Sequence, residues 1–130
     1  MMITAMSGLE QAIPDATRTD VGGLTVDELQ AGEARIKRVM YPPGWRWSTH
    51  MAPVTGTSSC QHAHVGFLAQ GAMEMSYADG CTTRYEAPAF VVVEPGHDGW
   101  VVGEETAVFI QVDHRGHTAE RLGMVGEHRH

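Results

Sequence analysis

Turn-forming glycines and prolines cut this chain into runs too short for long helices, and that constraint outweighs any other in the sequence. Pro42-Pro43-Gly44, Ala78-Asp79-Gly80 and Pro95-Gly96 each interrupt a strand-like run. The runs between such turns alternate or are rich in β-branched and aromatic residues. They are Ala34–Tyr41, Trp45–His50, Ser58–Leu68, Ala72–Tyr77, Cys81–Glu86, Phe90–Val93, Trp100–Val102 and Thr106–Val112. Asp79-Gly80 is the strongest hairpin cue among them. In Ala34–Tyr41 the small or apolar residues stand at 34, 36 and 40, an alternation broken by Arg38 that fits a half-exposed strand. Val21 to Val26 reads as strand edges around a glycine turn, and Asp27–Gln30 stays open between a helical turn and a loop. Eight or more short strands with almost no helix imply an all-β sandwich or barrel.

A chain of 130 residues is one domain's worth. The boundaries expected are an N-terminal arm over 1–16, a barrel over 17–116 and a tail over 117–130. Pro14 ends any helical turn after Ser7, and Thr118–Leu122 can form a short helix stopped by Gly123. No apolar run approaches the ~20 residues needed to span a bilayer, so no membrane partner is expected. The opening MMITAMSGLEQA lacks a basic start followed by an apolar block, so no secretory leader is expected. Sixteen acidic residues against nine Lys and Arg disfavour a nucleic-acid partner, whose phosphates want the opposite sign. Two cysteines are too few for a disulfide framework, which points to a reduced, cytoplasmic setting; a Cys60–Cys81 bridge stays undecided.

What composition leaves over is histidine, with eight in the chain and six of them between His50 and His117. On an extended strand, residues two apart face one side, so His62 and His64 can point together into a barrel. His97 from a neighbouring strand would close a facial set, with His50 as a fourth donor. Neutral imidazole suits Fe, Zn, Mn or Ni, so one divalent transition metal is expected and its identity stays open. Cys60 shares parity with His62 and His64 and reads as a further ligand, a reactive thiol or, most commonly for a free cysteine, a small buried hydrophobe. Glu94 and Asp98 flank His97 and could orient its second nitrogen. Trp45 and Trp47 pack a barrel end or line a ligand mouth. His114, at the very end of the barrel, and His117, His128 and His130 in the tail are expected to be exposed.

His62-Ala63-His64, Gly71 and Glu94-Pro95-Gly96-His97 together resemble the cupin superfamily over roughly Ala34 to Asp113. Cupins are small jelly-roll barrels with two signature blocks, G-x5-H-x-H-x3or4-E-x6-G and G-x5-P-x-G-x2-H-x3-N. Counted forward, Gly56 leads to His62 and His64. Counted back from Gly71, the glutamate position falls on His64, with His50 as the first histidine and Ala52 in place of the second. In the second block the third-histidine position falls on Gly99, two residues beyond His97, and the asparagine position falls on Gly103. The resemblance implies a cupin-type jelly-roll β-barrel, a homodimer and a metal-dependent enzyme acting on a small organic molecule. If His64 stands for the glutamate, an all-histidine site is similar to that of the three-histidine iron cupins, which implies dioxygenase-type chemistry. The alternatives are a Zn or Mn Lewis-acid lyase, isomerase or cyclase, and a non-catalytic sensor or carrier with Trp45, Trp47, Phe67 and Phe90 around its ligand.

Overall fold

In a computed structural model, which describes residues 8–124, the short runs become nine strands and three helical turns. The strands are β1 (Thr17–Val21), β2 (Leu24–Ala31), β3 (Ala34–Tyr41), β4 (His64–Gln70), β5 (Ala72–Tyr77), β6 (Thr82–Glu86), β7 (Ala89–Val93), β8 (His97–Val102) and β9 (Ala107–Asp113). The turns of helix are α1 (Trp47–His50), α2 (Ala52–Thr55) and α3 (Thr118–Arg121). All sheet neighbours are antiparallel, in a six-stranded sheet ordered β1-β2-β3-β9-β4-β7 and a three-stranded sheet ordered β6-β5-β8. The expected all-β jelly roll is present as two sheets, and ladder hydrogen bonds among the described residues do not join them into one closed barrel. No helix among these residues is long and apolar enough to cross a membrane.

Alternation places the core. Met73, Met75 and Tyr77 of β5 meet Val101 of β8, Val91 and Val93 of β7, Leu68 of β4 and Phe109 of β9 in one buried cluster. The Asp79-Gly80 hairpin forms as its sequence demands. Gly80 takes φ +88°, which glycine adopts without the penalty a Cβ brings, and the Asp79 carboxylate accepts the Cys81 N–H at 2.8 Å. At Gly66 the constraint is space rather than φ. A Cβ there would lie 1.9 Å from the Ile110 carbonyl oxygen, so β4 and β9 approach as closely as they do because residue 66 has no side chain.

Three local expectations are corrected. Trp45–His50 does not continue as a strand, because Arg46 O accepts from the N–H groups of Thr49 and His50 and turns the chain into α1. Asp27–Gln30 lies inside β2 rather than in a helical turn or loop. The segment Ser58–Leu68 is strand only from His64 onward, preceded by a single bridge at Cys60.

The inward face of β3 is not the one that carries the small and apolar residues at 34, 36 and 40. Ile36 is 47% exposed, whereas Val39 and Tyr41 are buried. The inward parity therefore carries Arg35 and Lys37, and their charges are matched inside the fold. Asp113 of β9 accepts from Arg35 Nε at 2.6 Å and pairs with Lys37 Nζ at 2.7 Å, while Arg35 Nη1 reaches Glu28 of β2 at 2.6 Å. Arg38 points outward yet is buried, since it pairs with Asp27 at 2.7 Å and donates to the carbonyls of Leu9 and Gln11.

Burial alone would raise the Asp113 carboxyl, but its hydrogen bonds from Arg35 and Lys37 outweigh burial and hold it down to about 2. A depressed carboxylate adds stability above its ordinary range and loses it as pH falls through the folded value. The shift corresponds to about 2 kcal/mol. Melting temperatures of wild type and Asp113→Asn, compared from about pH 7 to about pH 2, are therefore expected to differ most near neutrality and to converge in acid. A gap that stays constant over that range would contradict the assignment.

Candidate metal centre

The site forms where the two sheets meet. Cys60 N–H donates to His97 O at 2.7 Å, and His97 N–H donates to Cys60 O at 3.3 Å. Two residues that exchange both backbone bonds sit directly opposite each other, with side chains on the same side of the ladder. On its other edge His97 pairs with Tyr77 of β5. His64 enters from the first position of β4, in the other sheet. The outcome is a group of Cys60, His64 and His97 whose ligand-type atoms all lie within 4.8 Å of one another. Cys60 Sγ is 3.4 Å from His64 Nε2, and the two imidazole rings meet edge to face with centroids 5.1 Å apart.

Each imidazole is oriented through its other nitrogen. His64 Nδ1 lies 3.1 Å from Gln111 Oε1, and Gln111 Nε2 in turn donates to the Tyr41 hydroxyl at 3.3 Å. His97 Nδ1 lies 2.7 Å from the carbonyl oxygen of Glu94. An acceptor at Nδ1 keeps the proton there and leaves the Nε2 lone pair free, as a metal-binding histidine requires. Burial, reinforced by the neighbouring His97, depresses His64 to about 3, and burial likewise lowers His97. Burial pushes the Cys60 thiol up to about 11. The environment thus favours the uncharged forms of all three groups, so both imidazoles are neutral donors. Three converging donors with both rings oriented fit a metal ion.

A cavity of about 620 Å³ opens beside the group. Trp45, Trp47, Met73 and Met75 give it apolar walls, while Lys37, Arg35, Glu28 and Gln111 line its polar side. Trp45 and Trp47 are buried as well, with Trp45 Nε1 donating to Gly22 O at 2.8 Å, so they both pack and line.

The structure brings His64, His97 and Cys60 together and leaves the other expected ligands out. His62 lines the same cavity but is exposed at a bend before β4, so the two-residue parity with His64 does not apply. His50 is exposed at the end of α1, its Nδ1 accepts the Arg46 N–H at 3.1 Å, and its ring stacks over Trp45. The helical turn carries it away from the group. Asp98 faces α1 instead of His97, accepting from Ser48 N–H at 3.0 Å and pairing with Arg46. Glu94 does orient His97, through its carbonyl. Its carboxylate accepts the Tyr77 hydroxyl at 2.9 Å. Phe67 and Phe90 are on the outer face of the six-stranded sheet, with Phe90 86% exposed and the two rings in contact, so neither lines the cavity.

Both cysteines are free. The backbone order Cys60, His97, Tyr77, Cys81 across neighbouring chain segments keeps them apart. His114 is half-buried rather than exposed, His117 is exposed, and His128 and His130 lie outside the described residues. Sequence reasoning missed Gln111, Tyr41 and Lys37. The available signal was Gln111 at the same parity as Phe109, a polar residue where alternation puts the core.

No family model matches the sequence, and no curated protein sequence matches it. Solved structures do. A cupin-2 domain protein, Rru_A2000 from Rhodospirillum rubrum, superposes with a TM-score of 0.54 at 14% identity, covering 79% of this chain and 72% of that one. KdgF from a Halomonas species gives 0.52 at 19% identity over 74% of this chain and 83% of its own. A cupin-like protein of Thermotoga maritima, tm1010, gives 0.51 at 15% identity over 84% and 79%. With its two antiparallel sheets and these structural likenesses, the chain has the fold of the cupin superfamily.

Proposed function

We propose that the chain is a metal-dependent enzyme acting on a small organic molecule held in the cavity beside Cys60, His64 and His97. The observation that carries this reading is the convergence of three donors, two of them imidazoles oriented through Nδ1, at the wall of a cavity large enough for such a molecule. A divalent transition metal bound there would supply Lewis acidity toward a substrate oxygen. The protein's own groups divide the remaining work. Trp45, Trp47, Met73 and Met75 surround the apolar body of the substrate and exclude water. Lys37, held by Asp113, presents an ammonium from the polar side toward negative charge that develops on the substrate. Gln111 and the Glu94 carbonyl keep the two imidazoles aimed.

Lyase, isomerase or cyclase chemistry follows most directly from this arrangement. Dioxygenase-type oxidation was expected from an all-histidine set, and the third donor in the group is a thiol. Elemental analysis of untagged protein is expected to find about one transition metal per chain, since three donors hold one ion. Purified protein would then be offered hydroxy and keto acids by mass spectrometry and, under Fe(II), diketones and thiols with oxygen-electrode monitoring. Conversion without oxygen uptake supports the Lewis-acid reading, and stoichiometric uptake moves it to the dioxygenase type. A metal-free protein would sink both.

A further inference from the structure

We propose that Cys60 binds the ion as a thiolate and thereby sets the class of metal, favouring borderline and soft ions such as zinc and cobalt(II) over manganese and magnesium. This rests on the reading of the group as a metal centre and specifies what that centre accepts. Three observations support it.

The first is distance. A tetrahedral ion with a metal–sulfur bond of ~2.3 Å and a metal–nitrogen bond of ~2.05 Å separates the two donors by about 3.6 Å. Cys60 Sγ and His64 Nε2 are 3.4 Å apart. The sulfur thus stands where a ligand atom would stand, before any rearrangement of the backbone.

The second is how rigidly the sulfur is held there. Cys60 lies outside the named strands, yet both its backbone polar groups are tied to His97, the residue that supplies another donor. A shift of either residue along the strand direction would break both bonds. The thiol and the imidazole are presented as one unit.

The third is the disposition of the carboxylates. The described group contains no Asp or Glu, and the acid that lines the cavity, Glu28, is bonded to Arg35. Asp113 is shared between Arg35 and Lys37. The nearby carboxylates that manganese and magnesium prefer are therefore held by other partners, Glu28 and Asp113 by cations and Glu94 by the Tyr77 hydroxyl, and the donors that converge are sulfur and nitrogen. Binding exchanges the thiol proton for the metal: Cys60 S–H releases H⁺ to solvent as the metal–sulfur bond forms.

Cobalt(II) titration of the metal-free full-length chain tests this, because a thiolate on cobalt gives a sulfur-to-metal charge-transfer band in the near ultraviolet that nitrogen and oxygen ligands do not. The wild type is expected to show the band, and zinc at equal concentration is expected to displace manganese completely. Cys60→Ser is expected to lose the band and to bind cobalt more than tenfold less tightly, a loss at least as large as that for removing a group behind a ligand (about 10–100-fold). Circular dichroism identifies a variant that fails to fold, and the wild-type spectrum decides the matter without it. Cobalt bound to wild type with no such band would overturn the proposal while leaving a metal centre in place, and so would manganese binding as tightly as zinc. No cobalt binding at all would overturn the centre and the proposal together.

Discussion

Replacing His64 with alanine is expected to abolish metal retention through dialysis while the chain stays folded. The other two donors, Cys60 and His97, share one backbone pairing on the edge of the three-stranded sheet, and His64 is the donor that faces them from the six-stranded sheet. Without it, two ligands remain on one side of the ion and nothing in the group opposes them. The cost to the fold is moderate, since His64 stands at the first position of its strand and is half-buried. Gln111→Leu separates donation from orientation. It keeps all three ligand atoms and removes the acceptor on His64 Nδ1, so metal affinity should fall by about 10–100-fold, as for other partners behind a metal ligand. Metal content per chain and a competition titration with a coloured chelator measure both effects. Full metal content in dialysed His64→Ala would show that His64 is not a ligand.

Gly66→Ala should cost more stability than the same change at any other glycine described, because it has the tightest added contact. The new Cβ would sit 1.9 Å from Ile110 O and 2.9 Å from Gln111 Cα, far inside contact distance. A Cβ has no torsion that moves it aside, and both obstacles are backbone, so β4 and β9 must separate. Overpacking typically costs about 1–3 kcal/mol, and a methyl forced against two backbone segments belongs at or beyond the upper end of that range. Urea unfolding, or insoluble expression, would report it. An unfolding midpoint matching wild type would mean that the two strands have room the structure denies them. The clash also falls on Gln111, so a partly folded variant should lose metal affinity together with stability.

How much of this the sequence disclosed depended on the range of the interaction. Asp79-Gly80 was legible because a hairpin is decided by a few adjacent residues and the φ they tolerate, whereas Gly71 links β4 to β5 across two different sheets and opens no hairpin. His97 was legible for its position after the Pro95-Gly96 turn. The face of β3 was not, because its apolar residues alternate at 34 and 36 while Arg35 and Lys37 go inward on the strength of Asp113, nearly eighty residues away. Arg38 misled in the other direction, since an outward charge is buried by its own N-terminal segment. Trp45–His50 alternated as a strand would, yet local carbonyls captured its N–H groups first. His62 and Cys60 exchanged importance for a similar reason. The H-x-H spacing carries meaning only on an extended backbone, and the strand begins at its second histidine.

The placement of one donor in the six-stranded sheet and one in the three-stranded sheet has a mechanical consequence. These sheets share no ladder among the described residues, and side-chain packing is what holds them face to face. An ion held by His64 on one side and by Cys60 and His97 on the other would be a rivet through the sandwich. Sliding one sheet by an ångström would pull these three groups apart, so their spacing gauges the alignment of the two sheets. An ion bound there would, in return, resist that shear at the place where the cavity opens.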